Sequence, residues 1–206
     1  MIFENVIVGP IEANCYILAA AEGKHAIIID PGAEERKITK ILDKYRLKPG
    51  IVINTHGHYD HIGVCDKFHV PVYIHERDAD YLKDPELNLS GIFAIPYQAP
   101  EQIKTVKEGD IINSEGISFK VIHVPGHTPG GIALLMLKPQ KDILFTGDTL
   151  FCQGIGRSDL PGGNGELLVK SIKDKLFILS DDTAIYPGHG PSSTIGEEKE
   201  RNPFLV

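Results

Sequence analysis

The chain has no tryptophan, only two methionines and only three cysteines. Cys15, Cys65 and Cys152 lie far apart, and no Cys-x-x-Cys pair occurs. That excludes the disulfide framework of small secreted domains and a thiolate zinc site. Long apolar runs are also missing: none approaches the ~20 residues of a membrane-spanning helix. The opening stretch, MIFENVIVGP, has no basic segment followed by a long apolar one, so no signal peptide is expected. Basic charge is in deficit. With 21 Lys and Arg against 28 Asp and Glu the net charge is -7, which disfavours a general nucleic-acid partner. These absences together predict a cytoplasmic protein with neither membrane nor nucleic acid as partner.

What remains is ordinary globular material, 42% hydrophobic and 24% charged, in 206 residues. No repeat, low-complexity segment or linker divides it, so one domain over 1–206 is expected. Apolar runs punctuated by Gly-Pro and Glu-Gly turns predict strands at Phe3–Val8, Asn14–Ala19 and His25–Ile29. Further strands are expected at Gly50–Asn54, Val70–Ile74, Ile117–Val124, Gly131–Leu137, Asp142–Thr146 and Thr183–Tyr186. Helical periodicity predicts helices at Glu34–Arg46, His61–Phe68 and Glu166–Leu179, with a short one near Gly196–Asn202. Residues Asp84–Gly109 are irregular and contain proline, as a surface excursion or lid would be. Strands in meanders that then alternate with helices, in two successive blocks, predict two sheets face to face with helices outside.

The chemistry concentrates where apolar strands end. Ile51-Val52-Ile53-Asn54 runs into Thr55-His56-Gly57-His58-Tyr59-Asp60-His61, four ligating groups in six residues. Three later strands end similarly, in PGHTPGG with His127, FTGDTLF with Asp148 and YPGHGP with His189. Glycine and proline beside each polar residue let the backbone turn sharply and approach a shared centre. Seven donors, His56, His58, Asp60, His61, His127, Asp148 and His189, exceed the four of one tetrahedral metal and suit two metals sharing a carboxylate. Imidazole and carboxylate without thiolate fit zinc, iron or manganese. His25, His69, His75 and His123 lack ligand spacing.

THGHYDHIG resembles the T-H-x-H-x-D-H signature of the metallo-β-lactamase superfamily, and the three later motifs occur in that superfamily's order. GDTLFCQGIGRSDLPGG and the GHGP ending are most similar to its glyoxalase-II-like (hydroxyacylglutathione hydrolase) branch, in a short form. The resemblance implies an α+β fold, the αββα four-layer sandwich of two mixed sheets with helices on both outer faces. It implies His56, His58 and His127 as ligands of one metal and Asp60, His61 and His189 as ligands of the other. Asp148 would bridge the two, and Asp30 would stand behind the ligands. Two divalent ions, zinc by preference and otherwise iron or manganese, would hold a bridging hydroxide as nucleophile, with Asp60 and Asp148 as the catalytic carboxylates. A small-molecule thioester, S-2-hydroxyacylglutathione in the first instance, is the implied substrate. Thiolate leaves without a general acid, since thiols have pKa values near ~8.5. Arg157 aligns with a basic glutathione-binding position but could instead pair with Asp159, and Tyr59 could line the pocket. The aromatic residue expected after the last histidine is replaced by Gly190, which weakens the case for glutathione itself. Two alternatives stand beside the hydrolase: a mononuclear iron persulfide dioxygenase, and a non-catalytic metal-stabilised binding module.

Overall fold

The computed structural model describes residues 1–206. Its first sheet comprises β1 (Ile2–Val8), β2 (Ala13–Ala19), β3 (His25–Ile29), β4 (Lys48–Ile53), β5 (Val72–His75) and β6 (Ile103–Val106), in that spatial order. The first three strands are antiparallel and the last three join in parallel, so the sheet is mixed. The second contains β7 (Ile111–Ser114), β8 (Ile117–His123), β9 (Ile132–Lys138), β10 (Ile143–Gly147), β13 (Ala184–Pro187) and β14 (Ser193–Thr194). Its order is β14-β13-β10-β9-β8-β7, and β10 and β13 are its parallel pair. A small hairpin, β11 (Leu150–Phe151) with β12 (Gly154–Ile155), follows β10.

The period of two along each strand sorts side chains into layers. In β3, Ile27 and Ile29 face the second sheet, while Ile28 faces outward. In β2, Tyr16 and Leu18 face inward and Ile17 outward. In β10, Phe145 points between the sheets and Leu144 away from them. Outward residues of the first sheet pack on Ile38 and Leu42 of α1 (Glu35–Lys44). Those of the second pack on Leu168 of α3 (Gly165–Ser171), on Ile172 and Leu176 in the wider turn continuing it, and on Ile195 of α4 (Ile195–Arg201). The result is the expected four layers, helix, sheet, sheet, helix.

Some elements differ from the sequence expectation. The helix expected over His61–Phe68 is two pieces: α2 (Tyr59–Ile62), and a separate tight turn at Cys65–Phe68. Gly63 separates them. Gly63 keeps helical geometry and Val64, at φ -127°, leaves it; a Cβ at Gly63 would lie 2.2 Å from the Gly32 carbonyl oxygen, so only glycine fits against the turn after β3. A tight-turned segment, Glu76–Leu82, precedes the excursion, and the excursion contains β6, an unexpected strand. The helix expected over Glu166–Leu179 holds α geometry only to Ser171. The β11–β12 hairpin has no period long enough to be read from sequence.

Phe145 is fully buried and meets Phe3, Tyr16, Phe119 and Tyr186 edge-on or tilted, with ring centroids 5.0–5.8 Å away. Truncating a large buried aromatic forfeits its transfer energy and leaves a cavity. Phe145→Ala should therefore cost about 3–5 kcal/mol of unfolding free energy, measured by chemical denaturation.

Candidate metal centre

The ends of β4, β8, β10 and β13 open onto one edge of the sandwich, and each delivers part of the centre. The turn after β4 supplies His56 and His58, and α2 adds Asp60 and His61. The turns after β8, β10 and β13 add His127, Asp148 and His189. Their donor atoms form three overlapping groups: His56, His58 and His127; His56, His61 and Asp148; Asp60, His61 and His189. His58 Nδ1 lies 2.9 Å from His127 Nε2. His61 Nε2 lies 3.3 Å from His189 Nε2 and 3.3 Å from Asp60 Oδ2. Asp148 faces both sides, with Oδ1 3.4 Å from His61 Nε2 and Oδ2 3.7 Å from His127 Nε2 and 3.6 Å from His189 Nε2. All seven residues singled out from sequence thus converge.

Outer partners fix which nitrogen of each ring points inward. His127 Nδ1 donates to the Arg157 carbonyl at 2.7 Å, because a carbonyl can only accept. His61 Nδ1 donates to Asp30 Oδ2 at 3.0 Å. Thr55 Oγ1 donates to Asp30 Oδ2 at 2.6 Å, so its contact with His56 Nδ1, 3.1 Å away, takes the imidazole proton. In each of the three rings Nε2 is the nitrogen aimed at the centre. Asp30 is the hub, also accepting from the Thr55 amide at 2.7 Å. Its backbone sits in the left-handed region, φ 52°, which Asp tolerates better than most residues.

Electrostatics pull the groups in opposite directions. Burial, reinforced by neighbouring imidazoles, holds His56 well below the usual histidine range. Burial takes His58 down to about 3. Burial also opposes charge on His61, yet Asp60, Asp148 and Asp30 outweigh it and raise that ring well above its ordinary value. Burial would raise Asp60, but His61 and His189 keep it far below the carboxylate range. The centre therefore favours added positive charge on its acidic side and neutral imidazole on the other. His56 Nε2, His58 Nε2 and Asp148 Oδ1 are buried with no hydrogen-bond partner. Such atoms are costly unless something binds them. Divalent cations fit this donor set, hard and borderline ligands with lone pairs turned inward.

Glycine makes room where the chain passes the donors. A Cβ at Gly188 would stand 2.1 Å from Asp148 Oδ1 and 2.7 Å from His61 Cε1. One at Gly156 would stand 1.8 Å from the Asp148 carbonyl oxygen.

Sequence reasoning passed over Asp78, which has no motif around it. It is fully buried in the turn after β5, where its carboxylate ties two donor loops together. Oδ2 accepts from the Gly57 amide at 3.1 Å and from Thr128 Oγ1 at 2.7 Å, and Oδ1 accepts from the Gly130 amide at 2.6 Å. Burial pushes this carboxyl up to about 6, against the pull of the three donors. A buried carboxylate with three donors and no cation is the signal, visible only in three dimensions. His75 and His123, away from the centre, stack face to face with ring centroids 4.0 Å apart.

Above the donors lies a cavity of about 490 Å³. Tyr59 lines it and packs against Phe93 at 5.5 Å between centroids. Arg157 is at the mouth, but its guanidinium forks onto Asp159 at 2.8 and 2.7 Å, the pairing weighed against substrate contact.

Asp78→Asn keeps the shape but puts an NH2 where an oxygen accepts from Gly57 and Thr128, or from Gly130. Leaving buried donors unmatched costs ~1–3 kcal/mol. The variant should unfold at a correspondingly lower denaturant midpoint, with the slope unchanged.

Comparison with known proteins places this arrangement. The model of the metallo-beta-lactamase superfamily matches residues 8–189. An uncharacterized protein of Mycobacterium tuberculosis is 44% identical, over 96% of this chain and 94% of its own. The hydroxyacylglutathione hydrolase GloC of Haemophilus influenzae is 36% identical, over 100% of this chain and 98% of its own. Among solved structures, the B3 metallo-beta-lactamase BLEG-1 superposes with a TM-score of 0.89 at 37% identity, each chain covered completely. TTHA1623 in a di-iron-bound form gives 0.84 at 33%, over 98% of this chain and 100% of the other. ETHE1 from Myxococcus xanthus gives 0.81 at 28%, over 100% of this chain and 84% of the other. Four layers, a shared edge of histidine and aspartate donors, and a match over most of the sequence lead to one statement: the chain belongs to the metallo-beta-lactamase superfamily.

Proposed function

We propose that the protein is a binuclear metal-dependent hydrolase of thioesters, with S-2-hydroxyacylglutathione as its reference substrate. The observation that carries the binuclear reading is the position of Asp148, whose carboxylate lies within 3.7 Å of His127 in one donor group and within 3.4 and 3.6 Å of His61 and His189 in the other. His56, His58 and His127 would hold one ion and Asp60, His61 and His189 the other, with Asp148 between them. A pair of divalent ions supplies Lewis acidity and a nucleophile drawn from water at neutral pH, because bound water is acidified to a pKa of ~7. Zinc suits the donors, and a di-iron relative of the same fold makes iron the alternative.

The chain's own residues do the rest. Asp30 and the Arg157 carbonyl orient His61 and His127, and Thr55 orients His56, so these three rings already turn a nitrogen inward. The apolar cavity keeps bulk water from the carbonyl to be attacked and holds the substrate over the donors. Tyr59 would line the acyl or thiol arm. No side chain stands ready as a general acid apart from the donors, which favours a leaving group that departs as an anion, as a thiolate does. The GloC relative is named for this chemistry, which supports the reading.

The ETHE1 likeness keeps a one-iron persulfide dioxygenase as the rival. Convergence of Asp60, His61 and His189 into a second donor group favours the hydrolase.

Purified protein should carry two divalent ions per chain by elemental analysis and hydrolyse S-lactoylglutathione, with chelator abolishing turnover. His127→Ala should lower kcat/KM by about 10³, roughly 4 kcal/mol of transition-state stabilisation. One iron per chain with oxygen uptake on glutathione persulfide would replace this reading with the dioxygenase. A doubly loaded protein inert to every thioester would end it.

A further inference from the structure

The walls of the cavity bear on which thioesters can enter. Ile11, from the β1–β2 turn, stands at one side. Leu89 and Phe93 come from the excursion, Phe151 and Ile155 from the β11–β12 hairpin, and Leu160 from the loop beyond it. These six side chains come from four separate segments and surround the donors with apolar surface. Ile11 and Phe93 keep 48% and 59% of their surface exposed, so an entering substrate arm can reach them.

Charge at the same mouth is scarce and cancelled. The lining contains one fixed cation, Arg157, and Asp159 holds its guanidinium in a two-pronged pair. Recognition of a carboxylate at a protein surface leans on such a fork being free. Glutathione carries two carboxylates and one ammonium, so its thioesters bring net negative charge to a rim whose one guanidinium is already shared with Asp159. An uncharged arm meets no such penalty and gains contact with the apolar walls, at about 25 cal/mol per Å² removed from water.

We propose that this cavity selects acyl thioesters whose arms are apolar and uncharged, and discriminates against thiols that present carboxylates, glutathione among them. The proposal rests on the thioester reading above and narrows its substrate class. Phe93 and Ile11 are its specificity-determining residues, because they form the exposed part of the wall that an arm must pass.

The test uses the metal-loaded protein and three substrates: S-lactoylglutathione, the lactoyl thioester of N-acetylcysteamine, and the butanoyl thioester of N-acetylcysteamine. The neutral thioesters should show kcat/KM about tenfold or more above S-lactoylglutathione, with the difference in KM, as apolar-pocket discrimination of this size usually gives. Calorimetry with non-hydrolysable thioethers, S-butyl-N-acetylcysteamine and S-butylglutathione, should rank affinities the same way. Phe93→Lys places a free cation on an exposed wall position and should lower KM for S-lactoylglutathione while raising it for the butanoyl thioester. Equal or better kcat/KM on S-lactoylglutathione, or tighter binding of S-butylglutathione, overturns the inference and leaves thioester hydrolysis standing. Failure to hydrolyse any of the three overturns the thioester reading and this inference together.

Discussion

Three carboxylates, Asp30, Asp60 and Asp148, and five imidazoles occupy one small volume at the open edge of two sheets. The balance of their charge constrains everything around them. Water is largely excluded, so each ionised group acts strongly on its neighbours. Asp60, Asp148 and Asp30 raise His61 against the pull of burial, while His56 and His58 are driven toward the neutral form. A centre with acidic and neutral halves, and with unpartnered donor atoms between them, is built for cations. The fold follows suit: four strand ends and one short helix deliver donors, and outer carboxylates and carbonyls set their direction.

Rigidity at the centre comes from groups that do not belong to it. Asp30 links the turn after β3 to Thr55 and His61, and Asp78 links the His56–His58 turn to the His127 turn. Behind both, Ile27, Ile29 and Ile53 lock the strand ends into the layer between the sheets. Glycine is required only where backbone runs against a donor, as at Gly188 beside Asp148. The substrate side is built differently, from excursion and hairpin residues that are partly exposed and apolar. A polar floor held by buried bonds thus lies beneath an apolar wall drawn from loops.

The donors were legible because each carries its own local marker. Histidines in alternation at a strand end, or one histidine directly after Pro-Gly, have few structural uses, so His56, His58, His127 and His189 stood out. The alternation of Ile27, Ile28 and Ile29 reveals a strand buried on both faces. Other features left no local trace. Asp78 looks like any acidic residue in HERDADYL, and its partners are Gly57, 21 residues before it, and Gly130, 52 residues after it. The need for glycine at Gly63 comes from the Gly32 carbonyl, a neighbour in space only. For Arg157 the sequence leaves substrate contact and pairing with Asp159 both open, and the bend of a loop makes the pair.

The sequence carries the layered architecture and marks the candidate donors at its strand ends, because residue type and strand period act locally. The tertiary structure alone decided which nitrogen of each ring faces the centre, which carboxylate lies between the two histidine groups, and how apolar the cavity is. Those properties are distances between segments brought together from opposite ends of the chain, and no period along the sequence encodes such a distance.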